Sequence, residues 1–286
     1  MTSTAAEPAV AGPGAAGSVR HYVMCPPTFF AVRYSINPWM RPDDPVDADR
    51  AVRQWRRLRD QLVSLGHHVD VMTPEPALPD LVFTANGGIV VGQQALVPHF
   101  RHAERQGESA VFAAAFADLG ITDVQPAEYV NEGEGDFLLT GDRFLAGTGL
   151  RSDPRSVDEV AEFFELPVVR LTLVDPRFYH LDTALARLSA DAVAYWPGAF
   201  DERSQGLLRE LFPDAVLAQE ADAAELALNM VSDGSTVVMA PGRDELAAAI
   251  AERGFHVVQL ATDELRKAGG GAKCCVLERH PAPHRS

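Results

Sequence analysis

The sequence predicts a single α/β domain folded as a five-bladed propeller, with pseudo-fivefold symmetry and its helices outside. Three observations lead there. A unit of hairpin, helix and strand recurs, its polar landmarks return at a near-constant interval, and one copy is split between the two ends of the chain. Asn86, Asp136, Asp182, Asn229 and Cys274 mark comparable places, at intervals of 50, 46, 47 and 45 residues. A fixed period of that size signals an array built from one supersecondary unit. Joining the last copy to the first closes the array and removes exposed sheet edges.

The first apolar run is HYVMCPP (21–27), whose hairpin partner would be KCCVLERH (273–280). The helix of this split unit is expected over 47–65, stopped by Gly66, with a closing strand in HHVDVM. The four continuous units each begin with two apolar runs joined through Gly, Asp or Ser, over 83–100, 135–149, 180–196 and 227–241. That is hairpin chemistry. Charged stretches of helical periodicity follow at about 102–119, 155–165, 201–212 and 243–253. Each leads into a short β-branched run: ITDVQP, LPVVRLTL, DAVLAQ and FHVVQLA. A doubly wound sheet is the other destination for alternating helices and strands, but hairpins between helices fit poorly with all-parallel pairing. No glycine-rich phosphate loop opens any helix, which removes the nucleotide-binding variants.

Composition narrows the function. The 286 residues hold 25 basic and 40 acidic side chains, a formal charge of −15. Nucleic-acid affinity is built on Lys and Arg density, so no nucleic-acid partner is expected. A negative field instead suits a small cationic ligand. Residues 1–18 are Ala/Gly/Pro-rich with no cationic start, and read as a disordered tail rather than a signal peptide. No run of 18 apolar residues exists, so no membrane partner is expected. The catalytic domain is placed at 19–280, with a second short tail at 281–286. Three cysteines, Cys25, Cys274 and Cys275, make no disulfide framework and point to a reducing, cytoplasmic location. A homo-oligomer is compatible with all of this.

If the array closes, the polar strand starts of all five units meet at one mouth and form a small-molecule site. Cys274 follows GGGAK, a run that lets backbone approach a ligand closely, and a thiol is the best nucleophile in the set. Cys275, on the opposite face of the expected strand, reads as core, as does Cys25. His180 and Asp182 share one face of a strand by the alternation rule, and a His facing a Cys serves as general base and then general acid. NEGEGDFLL (131–139) crowds Glu132, Glu134 and Asp136, carboxylates of the kind that a planar guanidinium needs. Arg105 and Arg151 could clamp a substrate carboxylate. A zinc site from Cys274, Cys275, His280 and His284 lacks the ligand spacing that zinc takes, and no metal or organic cofactor is expected.

The ordered set FTAN (83–86), ERQGE (104–108), EGEGD (132–136), TGLRSD (148–153), HLD (180–182) and GGGAKC (269–274) resembles the guanidino-group-modifying enzymes, the pentein or amidinotransferase superfamily. The resemblance runs from about 21 to 280 and implies the same five-bladed fold. It implies Cys274 as nucleophile, His180 as acid/base and Glu132 as the third catalytic group, with Glu134 left as an alternative by the extra residue in EGEGD. It implies Asn86, Asp182, Asp136, Arg105, Arg151 and Asn37 as substrate ligands. The implied reaction is hydrolysis of a guanidino C–N bond of arginine or an N-methylated arginine, through a covalent thiouronium on the cysteine. Citrulline forms, and Asn86 with INPWM (36–40) resembles the arginine dihydrolase branch, which continues to ornithine. An amidinotransferase or a non-catalytic propeller module are the rival readings.

Overall fold

Helix α1 (Ala48–Ser64) shows how local sequence sets the elements. Asp47 accepts from the Arg50 amide at 2.9 Å, satisfying one donor that a helix start leaves open, and Ala51, Trp55, Leu58 and Leu62 form its buried stripe. Gly66 leaves the helix at φ +89°, a conformation that costs a glycine little. The expected 47–65 segment is therefore a helix within a residue at each end. The computed structural model describes residues 19–282. The expected tail at 1–18, the end of that at 281–286, and His284 lie outside the described residues.

In chain order, β1 (His21–Met24), α1 and β2 (His68–Val71) are followed by β3 (Ile89–Val91), β4 (Gln94–Val97), α2 (Ala103–Gln106), α3 (Glu108–Asp118) and β5 (Asp123–Pro126). Next come β6 (Phe137–Thr140), β7 (Arg143–Thr148), α4 (Ser156–Phe164) and β8 (Val168–Thr172). The third stretch holds α5 (Leu181–Ala184), β9 (Leu185–Arg187), β10 (Val193–Tyr195), α6 (Glu202–Leu211) and β11 (Val216–Leu217). The chain continues through α7 (Glu220–Ala223), β12 (Val231–Ser232), β13 (Thr236–Met239), α8 (Asp244–Glu252), β14 (His256–Gln259), α9 (Asp263–Arg266) and β15 (Leu277–His280).

One pairing pattern repeats. Two antiparallel strands are followed by a helix and a third strand parallel to the second, in β3-β4-β5, β6-β7-β8, β9-β10-β11 and β12-β13-β14. The parallel step needs a crossover long enough to hold a helix. The split copy obeys the same rule: β15 pairs antiparallel with β1, with Val23 opposite Leu277, and β1 pairs parallel with β2. A parallel β15–β3 contact joins this copy to the first continuous one in a six-stranded sheet, β2-β1-β15-β3-β4-β5. Four separate sheets with mixed pairing replace the continuous sheet of a doubly wound fold. Apolar residues fill four clusters between sheets and helices; in the largest, Phe178, Leu185, Tyr195, Phe200, Met239 and Ile250 pack together.

Three local expectations need correction. The 102–119 helix is broken at Gly107 into α2 and α3. His180 and Asp182 do not share a strand: His180 precedes the single turn of α5 and Asp182 lies within it. The strand expected to carry Cys274 and Cys275 begins only at Leu277, and both cysteines sit in the turn before it. Hairpin patterning marks where apolar strands lie, but the polar residues ahead of them bond locally and end the ladder.

Candidate active site

The polar landmarks lie in short turns just ahead of the first strand of each unit. Asn86 is in a 3₁₀ turn (Thr84–Gly87), and Glu132 precedes another (Gly133–Gly135) that leads to Asp136. Gly135 is where these turns crowd together: a Cβ there would come within 2.3 Å of Asn86 Nδ2 and 3.2 Å of His180 Nδ1. Asn86, Arg105, Arg151, Asn37 and Cys274 all line one narrow cavity.

Cys274 is buried, and its Sγ donates to Asp182 Oδ2 at 3.1 Å. Burial, then the charge and hydrogen bond of Asp182, hold the thiol well above its ordinary pKa. Burial likewise raises Asp182 to about 6, against the pull of Lys273 and the bond from Cys274. His180 Nε2 lies 2.7 Å from Glu132 Oε2, the oxygen that also accepts from Arg151 at 2.7 Å. Burial opposes ionisation of Glu132, but Arg151 and the His180 bond outweigh it and keep the carboxyl below its usual range. An ionised carboxylate only accepts, so Nε2 carries the proton and Nδ1 holds the free lone pair. Burial brings His180 down to about 4, despite the Glu132 contact, so the ring is neutral at physiological pH.

The remaining expected residues divide. Arg105 is fully engaged: its guanidinium meets both Glu108 oxygens at 2.9 and 2.8 Å and Asn86 Oδ1 at 2.8 Å. Arg151 also donates to the Ile36 carbonyl at 3.0 Å and lies over the Tyr179 ring. Asn37 joins its own turn to the segment ahead of Cys274, accepting from the Trp39 amide and donating to the Ala268 carbonyl. Asp136 accepts from Ser152 Oγ at 2.6 Å and the Leu181 amide at 3.4 Å, and burial holds its carboxyl well above the usual range. The Leu181 bond ties Asp136 to the start of α5. Glu134 joins a different cluster, on His280 and Lys273 at 2.7 and 2.8 Å, so the His180 partner is Glu132. Cys25 and Cys275 are buried among apolar side chains, as expected for core thiols. Among the described residues no group of His, Cys, Asp and Glu could hold a metal ion.

Two residues were given no individual role by the sequence. Asp80 lines the cavity, takes the Tyr34 hydroxyl on Oδ2 at 2.8 Å, and leaves a buried Oδ1 with no partner. Its signal was faint, one Asp after a proline. Asn229 carried a period mark but no role, and it contacts Cys274 Sγ at 3.0 Å. His180 Nδ1 and Asp182 Oδ1 are likewise buried without partners. Asp182 thus keeps a free oxygen beside the Cys274 thiol, Asp80 keeps one in the cavity that Cys274 lines, and His180 keeps a base lone pair. Buried polar atoms are seldom left unpaired without a functional reason.

The family model for N,N dimethylarginine dimethylhydrolase, eukaryotic, matches residues 36–280. The chain belongs to this family. It is 48% identical over 262 residues to an N(G),N(G)-dimethylarginine dimethylaminohydrolase of Mycobacterium tuberculosis, covering 92% of this chain and 86% of the relative. It is 41% identical to the bifunctional arginine dihydrolase/ornithine cyclodeaminase AgrE of Nostoc, over 90% of this chain but 37% of that longer protein. The product-bound N-terminal domain of ArgZ, an arginine dihydrolase from cyanobacteria, matches with a TM-score of 0.88 at 37% identity, covering 92% of this chain and 99% of the domain. The resemblance to guanidino-modifying enzymes is borne out, and the fold is the α/β fold of these relatives.

Proposed function

We propose that this family member hydrolyses a guanidino C–N bond of arginine or an N-methylated arginine, with Cys274 as nucleophile. The observation that carries this is the buried Cys274 thiol on Asp182, whose Oδ1 has no partner, together with His180, which Glu132 holds with Nδ1 free. The relatives' activities, dimethylarginine dimethylaminohydrolase and arginine dihydrolase, support the same chemistry. The five similar units would close as a five-bladed propeller within a single domain, 19–280.

The steps follow from the side chains. Asp182 takes the guanidinium through its free oxygen, and Asp80 offers a second anionic contact. The arriving cation favours the ionised thiol, so substrate binding itself lowers the Cys274 pKa. Sulfur bonds to the guanidinium carbon as the C–N bond breaks. The thiol proton passes to His180 Nδ1 and on to the departing ammonia or alkylamine, leaving a thiouronium cation. His180 then takes a proton from water, the hydroxide attacks the same carbon, and the thiol departs from the ureido product. Glu132 stabilises the imidazolium at each transfer.

Asn86 favours a second reading for the later course. Its amide is fixed by Arg105 on Oδ1 and by the Glu132 carbonyl on Nδ2, so the cavity wall carries a neutral group where a further carboxylate would add charge. A neutral wall suits a neutral ureide returning as substrate, as an arginine dihydrolase requires. Mass spectrometry of products from arginine, dimethylarginine and citrulline, with and without an acceptor amine, tests both. Citrulline and ornithine from arginine support the dihydrolase course; citrulline with dimethylamine from dimethylarginine supports the other. Transfer to the amine overturns hydrolysis.

A further inference from the structure

Asn229 is the only one of the five periodic landmarks to which neither the sequence reading nor the proposed mechanism gives a task. It is 2% exposed, and every hydrogen-bonding position on its side chain is filled. Oδ1 accepts from the Gly271 amide at 2.8 Å and the Cys274 amide at 3.1 Å. Nδ2 donates to Cys274 Sγ at 3.0 Å and to the Asp182 carbonyl at 3.2 Å.

This pattern decides which way the amide faces. Backbone N–H groups can only donate, so the oxygen must meet Gly271 and Cys274, and the NH₂ must meet the sulfur. A Cβ at Gly271 would lie 2.9 Å from Oδ1, so glycine is what lets the loop reach the oxygen. The donor is thus held in place before any substrate arrives. The sulfur has two opposed neighbours. Asp182 favours S–H by accepting from it and by its charge, while Asn229 gives a hydrogen bond that strengthens when the sulfur becomes an anion.

We infer that Asn229 is a further catalytic residue, donating to the Cys274 thiolate and fixing its direction of attack. The inference rests on Cys274 being the nucleophile. A hydrogen bond to an ionised group sets the scale: without it kcat/KM should fall roughly 10- to 100-fold and the thiol pKa should rise by roughly one unit.

The test separates this donor from a mere brace for the turn. Asn229→Asp keeps an oxygen for the Gly271 and Cys274 amides but puts a second acceptor against the sulfur. Asn229→Ala removes both halves without burying a charge. In each, alkylation of Cys274 by iodoacetamide is followed against pH by peptide mass, beside kcat/KM and the circular dichroism melt. A folded variant whose alkylation profile moves to higher pH and whose kcat/KM falls supports the inference. Asn229→Asp with parent-like kcat/KM and profile overturns it, because a brace would be enough; so does a folded Asn229→Ala that behaves as the parent. Cys274→Ser in the same series keeps the two readings apart. Turnover in that variant removes the nucleophile, and the inference with it, whereas an inactive Cys274→Ser beside unaffected Asn229 variants removes the inference alone.

Discussion

Two buried polar clusters begin at neighbouring residues and behave in opposite ways. From Glu132 and Cys274 the chain builds the candidate site with His180, Asp182 and Arg151. From Glu134 and Lys273, in the same two segments, it builds a second cluster with His280, Glu278, Arg20 and Arg187. There every carboxylate oxygen is occupied: Glu134 receives His280, Lys273 and the Glu278 amide, while Glu278 receives Arg20 and Arg187. Burial opposes ionisation in both clusters, yet Arg187, His280 and Arg20 bring Glu278 down to about 2, whereas Asp182 stays near 6 with one oxygen free. Partners, rather than depth, decide the sign. The satisfied cluster ties segments together, and the unsatisfied one keeps its affinity for a ligand.

The largest effect should separate Cys274, in the site, from its neighbour Cys275, in the apolar core. Cys274→Ser should lose all measurable turnover while Cys275→Ser, in the same turn but packed in the core, should keep most of it. Equal loss in both, with melting curves unchanged, would break the distinction. His180→Ala should cost at least roughly 10²–10⁴-fold in kcat with little change in melting. In the other cluster, Glu278→Gln leaves two arginines short of a charged partner, so it should cost about 3–5 kcal/mol of stability while the folded fraction turns over normally. Denaturant midpoints measured beside kcat would show whether activity and stability divide along this line.

Asp182→Asn gives a smaller, signed effect. After burial, the Asp182 charge is what raises the Cys274 thiol, so its removal should lower the thiol pKa and speed alkylation at neutral pH in the substrate-free protein. Turnover should fall all the same, because the guanidinium loses its carboxylate. A slower alkylation would mean that Asp182 favours the thiolate and would reverse the assignment. The least effect on rate and the most on outcome is expected of Asn86→Asp. The added charge should keep the first hydrolysis and stop it at citrulline, which product ratios from arginine would reveal.

The element order, the five-fold return of polar landmarks and the extents of α1, α4, α6 and α8 were legible in the sequence, because apolar spacing and helix caps act over a few residues. The repeat also marked Asn86, Asp182, Asn229 and Cys274 as polar positions, but not Asp80, which lines the cavity. The partners of these residues were not legible. Whether Glu132 or Glu134 meets His180 depends on a 3₁₀ turn whose glycines set two nearby carboxylates toward different clusters. That His180 leaves Nδ1 free and not Nε2, that Asp80 keeps a free oxygen, and that Asn229 faces its NH₂ to sulfur all arise from contacts between residues 42 or more positions apart. Periodicity records which face a residue occupies. Only the assembled units decide what stands opposite it, and in a buried site the opposite group sets charge, tautomer and reactivity.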